Sequence, residues 1–174
     1  MQCLIVIDFQ ERLAKHIQGI EEIVRNSRKL IKACKEFGIP VLVTEQIKLG
    51  ETIPEIKEVL EEVKPIQKLS FSCLKCNDFY KEFKKINPRK CIVIGIEAHI
   101  CVLQTALDLL KEGCEVYVAV DCIGSRNQTD KDITIMRLMQ EGVKLSTAES
   151  LIYEILQTAE RKNFKEILQI VKGE

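Results

Sequence analysis

The order of apolar segments along the chain predicts an α/β fold built on a mainly parallel sheet. Short apolar runs, typical of buried strands, alternate with longer segments whose apolar residues recur at helical spacing. Strands that alternate with helices are joined by right-handed crossovers, which place helices on both faces of the sheet. No linker, repeat or low-complexity segment interrupts the 174 residues. We therefore expect one domain, residues 1–174, folded as a three-layer α/β/α sandwich with a six-stranded sheet.

Three strands are expected in the first half of the chain. Gly38 ends the first long helix and Pro40 leads into the second strand, as glycine and proline often do at such boundaries. Pro54 lies near the start of a short helix, where its missing N–H is tolerated. The expected elements are a strand at 3–7, a helix at 20–34, a strand at 41–43, a helix at 53–63, a strand at 65–67 and a helix at 75–85.

Three more strands are expected in the second half. A buried strand is followed by helical spacing that runs from Val102 to Gly113. The chain then ends in two amphipathic helices, broken near Asn163. The expected elements are strands at 91–94, 115–120 and 143–146, a helix at 132–139 and the terminal helices within 150–172.

Composition and charge exclude several classes of partner. The 26 basic and 26 acidic side chains cancel and form no basic block, so neither nucleic acid nor an acidic membrane surface is expected to bind. No apolar run approaches the roughly 18–20 residues of a membrane span. The chain enters an apolar strand directly after Met1, so no signal peptide is expected. Eight cysteines without a secretion signal then indicate reduced thiols and a cytoplasmic location.

Polar residues at the strand ends are the candidates for chemistry. Ligands of open parallel sheets bind beyond the carboxyl ends of the strands, where the strand order reverses. The residues at those ends are Asp8, Glu45, Gln46, Lys68, residues 97–101 and Asp121. They include an acid, a cation and a thiol, the set that nucleophilic catalysis requires. The N–H groups and the dipole of a helix start would favour a thiolate at Cys101, although an ordinary buried cysteine fits the same position.

Six segments make the chain recognisable: LIVIDFQERL, VLVTEQ, KLSFSC, GIEAHICVLQTALDLL, VYVAVDCIGSR and TAESLIYEIL. Together they extend over nearly its whole length, and the chain resembles the isochorismatase-like cysteine hydrolases, most closely the isochorismatase domain-containing proteins. The resemblance implies a strand order of 3-2-1-4-5-6. It also implies a catalytic triad of Asp8, Lys68 and Cys101.

The resemblance implies a mechanism for these residues. Asp8 takes the proton of the Cys101 thiol, and Lys68 favours the anionic forms of both groups. A cis peptide between Ile96 and Glu97 lets the backbone N–H groups of Glu97 and Cys101 face the oxyanion. The expected reaction is hydrolysis of a small-molecule amide or related C–N bond through a thioester. With helix, lysine and amides acting together, Cys101 should be the most reactive thiol.

Side chains near the triad are expected to contact the substrate. The candidates are Phe9, Gln10, Gln46 and Phe71, which suit a small, mostly uncharged acyl group. The segment Asp121-Cys-Ile-Gly-Ser125-Arg126 is expected to be structural, with Arg126 paired to a carboxylate. His99 is at best a pocket-lining residue.

No metal and no cofactor are expected. Cys73 and Cys76 have the CxxC spacing of a zinc or redox motif, but no second CxxC or pair of histidines accompanies them. Metal-dependent nicotinamidases of this family carry Asp-x-His where this chain has Glu45-Gln46-Ile47. No GxGxxG is present, so a dinucleotide is not expected.

Two other functions remain open from the sequence. The chain could be a non-catalytic member that binds a small molecule or a partner, although a pure binder needs no intact triad. It could also be a vinyl ether hydrolase of the isochorismatase type, a reaction that needs an acid but no nucleophile.

The apolar residues of the terminal helices predict a homo-oligomer. They must cover the sheet or a second copy of the chain, and the family resemblance favours a dimer or a larger assembly. The interface is expected on one sheet face rather than over the Cys101 pocket. The residues are Leu151, Ile152, Ile155, Leu156, Phe164, Ile167, Leu168, Ile170 and Val171.

Overall fold

The six strands form one sheet in which every neighbouring pair is parallel. The structure, a computed structural model, describes residues 1–173, so the last residue of the expected domain, Glu174, lies outside the described residues. The sheet order is β3-β2-β1-β4-β5-β6, which confirms the expected strand order. The strands are β1 Gln2–Ile7, β2 Val41–Gln46, β3 Ile66–Lys68, β4 Lys90–Ile96, β5 Glu115–Gly124 and β6 Lys144–Ser146.

Eight α-helices and two short turns connect the strands within residues 1–173. The turns are a 3-10 turn, Cys73–Lys75, and a π-helical turn, Ala98–Val102. The helices are α1 Glu11–Ala14, α2 Ile20–Glu36, α3 Pro54–Leu60, α4 Asn77–Ile86, α5 Leu103–Lys111, α6 Gln128–Gln140, α7 Ala148–Leu156 and α8 Phe164–Lys172. In the same residues, no helix combines the length and apolar character that a membrane crossing requires.

The two faces of the sheet carry separate cores because side chains alternate along each strand. Leu4 and Val6 of β1 pack with α2, α3, α7 and α8. Cys3, Ile5 and Ile7 point to the opposite face and pack with α4, α5 and α6. The chain is therefore the three-layer sandwich that the sequence predicts. Central strands buried on both faces explain why the strands appear as unbroken apolar runs.

Element boundaries differ from the expectation at polar positions. Strand β5 continues past Asp121 to Gly124, because Cys122 and Ile123 keep the segment buried beside β4. Helix α6 begins at Gln128, four residues before the expected start, in an exposed turn that carries no apolar signal. Helix α1 has four residues, too few to display a helical period.

Gly95 brings β4 unusually close to β1. Its φ is 140°, and a Cβ at this position would lie 2.2 Å from the carbonyl oxygen of Ile7. The register between β4 and β5 shifts between Val93 and Gly95. Glycine is therefore required here, and the close approach aligns the ends of the two central strands.

Candidate active site

Three side chains from separate strand ends meet at the carboxyl edge of the sheet. Asp8 follows β1 and Lys68 ends β3, while Cys101 lies in the π-helical turn that follows β4. Strands β1 and β4 are neighbours at the point where the strand order reverses. Asp8 has a φ of 51°, which turns the chain away from the strand immediately after Ile7. The three sequence-predicted residues are thus brought together by topology.

Asp8 and Lys68 form a completely buried ion pair. The distance from Lys68 Nζ to Asp8 Oδ2 is 2.8 Å, and neither side chain is exposed. The same ammonium donates to Gln46 Oε1 at 2.7 Å and to the carbonyls of Ser70 and Phe71 at 3.1 and 3.2 Å. Burial lowers the pKa of Lys68, but the charge and hydrogen bond of Asp8 act together with the neighbouring Cys101 and Cys73, and the sum raises the pKa above its usual value. The lysine therefore stays charged inside the protein.

Cys101 lies against this ion pair, in surroundings that oppose ionisation of its thiol. Its Sγ is 3.5 Å from Lys68 Nζ, and the residue is 6% exposed. Burial first, and then the charge of Asp8, raises the pKa of Cys101 to about 12, and the ammonium of Lys68 offsets this only in part. This direction is opposite to the one expected from a helix start, because burial and the carboxylate of Asp8 act against ionisation of the thiol. Cys101 also lies in the π-helical turn, ahead of the first residue of α5, Leu103.

Thr44 is a site residue that sequence reasoning missed. Its Oγ1 donates to Asp8 Oδ1 at 2.7 Å, so each carboxylate oxygen of Asp8 has a buried donor. Thr44 is the register partner of Ile7 and is fully buried. The sequence did contain one signal: Thr44 carries a hydroxyl directly after the apolar run 41–43, in the strand that neighbours the one ending before Asp8.

The proposed substrate contacts have different surroundings. Phe9 is buried in the core, and Gln10 is also fully buried. The amide of Gln10 donates to the carbonyls of Gln46 and Gly50 and accepts from the Gln46 N–H, at 2.7 to 2.9 Å. Gln46 Oε1 accepts from Lys68, and its amide nitrogen donates to the Leu69 carbonyl at 2.7 Å.

In this structure, Phe9 is covered by the core, and the side-chain amides of Gln10 and Gln46 are already paired within the protein. Phe71 is 54% exposed, and it alone among the four predicted contacts leaves most of its side chain open to a ligand. From the sequence, an apolar side chain near Asp8 could belong either to the wall of a pocket or to the core, so Phe9 and Phe71 could not be distinguished.

Residues 97–102, named here the Cys101 turn, have an unusual backbone. The peptide bond between Ile96 and Glu97 is cis. The Glu97 carbonyl accepts from the N–H groups of Ile100 and Val102, at 3.2 and 3.3 Å. The turn is therefore closed on the carbonyl of its own first residue.

The CxxC pair is divided between two environments. Cys73 is fully buried, 3.8 Å from Thr44 Oγ1, whereas Cys76 is partly exposed and contacts the Gln67 carbonyl. All eight cysteines are free thiols. Within the described part of the chain, no three His, Cys, Asp or Glu side chains are arranged to hold a metal ion. Arg126, expected to pair with a carboxylate, contacts Glu97.

Comparison with known proteins agrees with this arrangement. The sequence model of the isochorismatase domain matches residues 2–150. Isochorismatase domain-containing protein 2 of Danio rerio is 37% identical over 171 residues, which are 97% of this chain and 85% of that protein. A structure titled MAR1 ribonuclease from Caenorhabditis elegans superposes with a TM-score of 0.92 at 37% identity, covering 98% of this chain and 89% of that chain.

A more distant structure supports the fold alone. The YcaC gene product of Escherichia coli, described as an octameric hydrolase of unknown specificity, has a TM-score of 0.88 at 22% identity. The superposition covers 96% of this chain and 84% of that chain. Taken together, the family match, the related sequences and the shared sheet topology show that this chain belongs to the isochorismatase family and has its hydrolase fold.

Proposed function

We propose that the chain is a cysteine-dependent hydrolase of a small-molecule amide or related C–N bond. The observation that carries the proposal is the bridging position of Lys68 Nζ, 2.8 Å from Asp8 Oδ2 and 3.5 Å from Cys101 Sγ. A buried acid, cation and thiol in contact are the parts of an activated nucleophile. Their burial also keeps water away from the charges, which strengthens their mutual interaction.

Asp8 acts as the base in this proposal. Because the pKa of Cys101 is about 12, its proton has to leave as the sulfur attacks the acyl carbon rather than beforehand. The C–N bond then breaks, and Asp8 gives that proton to the departing nitrogen. Water next attacks the thioester, Asp8 accepts one of its protons, and the C–S bond breaks. The proton returns to the sulfur, so both residues end as they began.

The backbone of the Cys101 turn stabilises the oxyanion in this scheme. The N–H groups of Glu97 and Cys101 are the proposed donors, and both belong to the turn whose backbone closes on the Glu97 carbonyl. Fixed donors of this kind contribute roughly 3–4 kcal/mol each to lowering the barrier in well-studied hydrolases. Eight free cysteines are consistent with a location in the reducing cytoplasm.

The similarity to a protein titled MAR1 ribonuclease makes RNA hydrolysis the second candidate to test. The balanced count of 26 basic and 26 acidic side chains supplies no excess positive charge for a polyanion. A thiol nucleophile suits acyl transfer, and a vinyl ether hydrolase has no use for one. These points favour an amide-type substrate over RNA or a vinyl ether.

A substrate screen tests the proposed reaction. Purified protein is incubated with small amides, ureides and hydroxamates, and with RNA and a vinyl ether as separate arms, while product release is measured. We expect turnover of at least one carbonyl substrate, and Cys101→Ala should reduce it by roughly 10³-fold or more because the acyl acceptor is gone.

The matched control for this screen is Cys76→Ala, which removes the partly exposed thiol and should retain activity. Turnover of RNA or the vinyl ether that persists in Cys101→Ala would contradict the proposal, as would amide turnover that is insensitive to this substitution.

The role of Asp8 predicts opposite effects on labelling and on catalysis. The charge of Asp8 is one cause of the raised pKa of Cys101, so Asp8→Asn should lower that pKa and speed iodoacetamide labelling of Cys101 at pH 8 to 9. Hydrolysis should be lost in the same variant because the base is gone. In the wild type, Cys76 should be labelled before Cys101, contrary to the expectation from the sequence that Cys101 is the most reactive thiol, because only Cys76 of the eight thiols is not buried.

Peptide mapping by mass spectrometry measures the labelling, circular dichroism checks folding, and Asp78→Asn on the exposed face of α4 is the control. Slower labelling of Cys101 in folded Asp8→Asn would show that Asp8 does not raise the pKa of the thiol.

We also propose that the chain forms a homo-oligomer, through a different surface from the one the sequence suggests. Leu151, Ile152, Leu156 and Ile167 of the terminal helices are buried in the core of their own chain, so they cannot drive association. Helix α6 instead exposes three large apolar side chains, Ile133, Met136 and Met139. A helix face of this kind commonly marks a contact with another protein. The octamer described for YcaC makes a second copy the favoured occupant.

Light scattering after size exclusion tests this surface. The wild type at micromolar concentration should have a mass of at least twice 19.9 kDa. Met136→Glu should shift it to the monomer, because a charge at an apolar contact opposes association. Lys81→Glu on α4 is the control and should leave the mass unchanged. A monomeric wild type, or a Met136→Glu variant that assembles normally, would overturn the proposal.

A further inference from the structure

The Cys101 turn is tied to the segment that follows β5, residues 125–130. The carboxylate of Glu97 accepts from the backbone N–H of Arg126 at 3.0 Å and from its Nε at 3.1 Å. Glu97 is almost fully buried, whereas Arg126 is 57% exposed. One turn residue therefore receives two hydrogen bonds from a single neighbour, and one of the two comes from the main chain.

A second tie lies two residues further along the turn. His99 Nδ1 is 2.9 Å from Ser125 Oγ, and Ser125 is buried. The other ring nitrogen of His99 is 3.9 Å from Asp130 Oδ2 at the start of α6. The imidazole thus lies between a buried hydroxyl and a carboxylate, both from residues 125–130. Neither contact belongs to the Asp8, Lys68 and Cys101 cluster.

The segment is itself anchored to the sheet. Gly124, which precedes it, is the register partner of Ile96 on β4, and Ile96 precedes the turn. Ser125 therefore follows directly from a strand that pairs with the strand leading into the turn. A π-helical turn is rare, and such turns occur often at functional sites, where neighbouring groups fix their shape. Here Ser125 and Arg126 are the neighbours that contact it.

We infer that residues 125–130 position the Cys101 turn for catalysis, with Ser125 and Arg126 as positioning residues for the reaction proposed above. They act through Glu97, whose own N–H is a proposed oxyanion donor, and through His99, which lies between Glu97 and Cys101 in the turn. Asp8 and Lys68 are held by a different part of the sheet, through Thr44 and Gln46 of β2. The 125–130 segment therefore sets where the sulfur and the Glu97 N–H lie relative to the base.

A split between kcat and KM distinguishes positioning from binding. The probe is p-nitrophenyl acetate, and the rate of p-nitrophenolate release reports acylation. Ser125→Ala and Arg126→Ala should each lower kcat by roughly 10- to 100-fold, because a misplaced reacting group costs about that much, with KM changed less than 3-fold. Ser125→Thr keeps the hydroxyl and should restore most of the rate. Arg137→Ala, on the exposed part of α6, is the matched control.

Hydrogen exchange supplies a readout that does not need turnover. In Ser125→Ala, the amides of residues 97–102 should exchange faster, and those of residues 66–72 should be unchanged. Unaltered exchange at the turn, or an unaltered kcat, would overturn the inference. If the wild type shows no acylation, the proposed function fails, and the exchange data still decide the positioning role. If wild-type acylation depends on Cys101 but not on Ser125 or Arg126, the positioning role alone fails.

Discussion

The site depends on one buried ion pair, Lys68 with Asp8. Both side chains have left water completely, and removing either partner of such a pair typically costs about 3–5 kcal/mol because the other is left charged and unpaired. The fold satisfies the remaining capacity of both groups with Thr44, Gln46 and two loop carbonyls. This network explains why the ends of β1, β2 and β3 and the loop after Lys68 keep one geometry.

Burial and the same ion pair together act on the thiol. Burial is the largest cause of the raised pKa of Cys101, the carboxylate of Asp8 adds to it, and the ammonium of Lys68 lowers the pKa only in part. The resting sulfur therefore keeps its proton, and the group that opposes ionisation is the same group proposed to accept that proton. Storing the nucleophile in its neutral form limits its oxidation and alkylation, because these reactions require the thiolate. The site is assembled at the switch point between β1 and β4, with support from β2 and β3 on one side and from β5 on the other.

The sequence predicted most of the fold, and the convergence of strand ends in a parallel sheet supplied a list of candidates from which the family resemblance selected Asp8, Lys68 and Cys101. The sequence could not predict how burial and the neighbouring charges act on the ionisation of the Cys101 thiol. A helix-start argument for Cys101 considered the local dipole and omitted burial and the neighbouring carboxylate, both of which raise the pKa of the thiol. Thr44 and Gln10 form their contacts across strands and loops some 36 residues away, so no local pattern reports them. The apolar terminal helices suggested an interface because a sequence does not reveal which surface the chain already uses for its own core.

The proposed chemistry is tested most directly by trapping the acyl-enzyme. Protein treated briefly with p-nitrophenyl acetate, quenched in acid and digested, is analysed by mass spectrometry for the position of the acetyl group. The account predicts one acetyl group on Cys101, removed by hydroxylamine as expected of a thioester, and absent from Cys101→Ala. Acetylation confined to Cys76 or to lysines, with Cys101 unmodified while p-nitrophenolate is turned over, would contradict it.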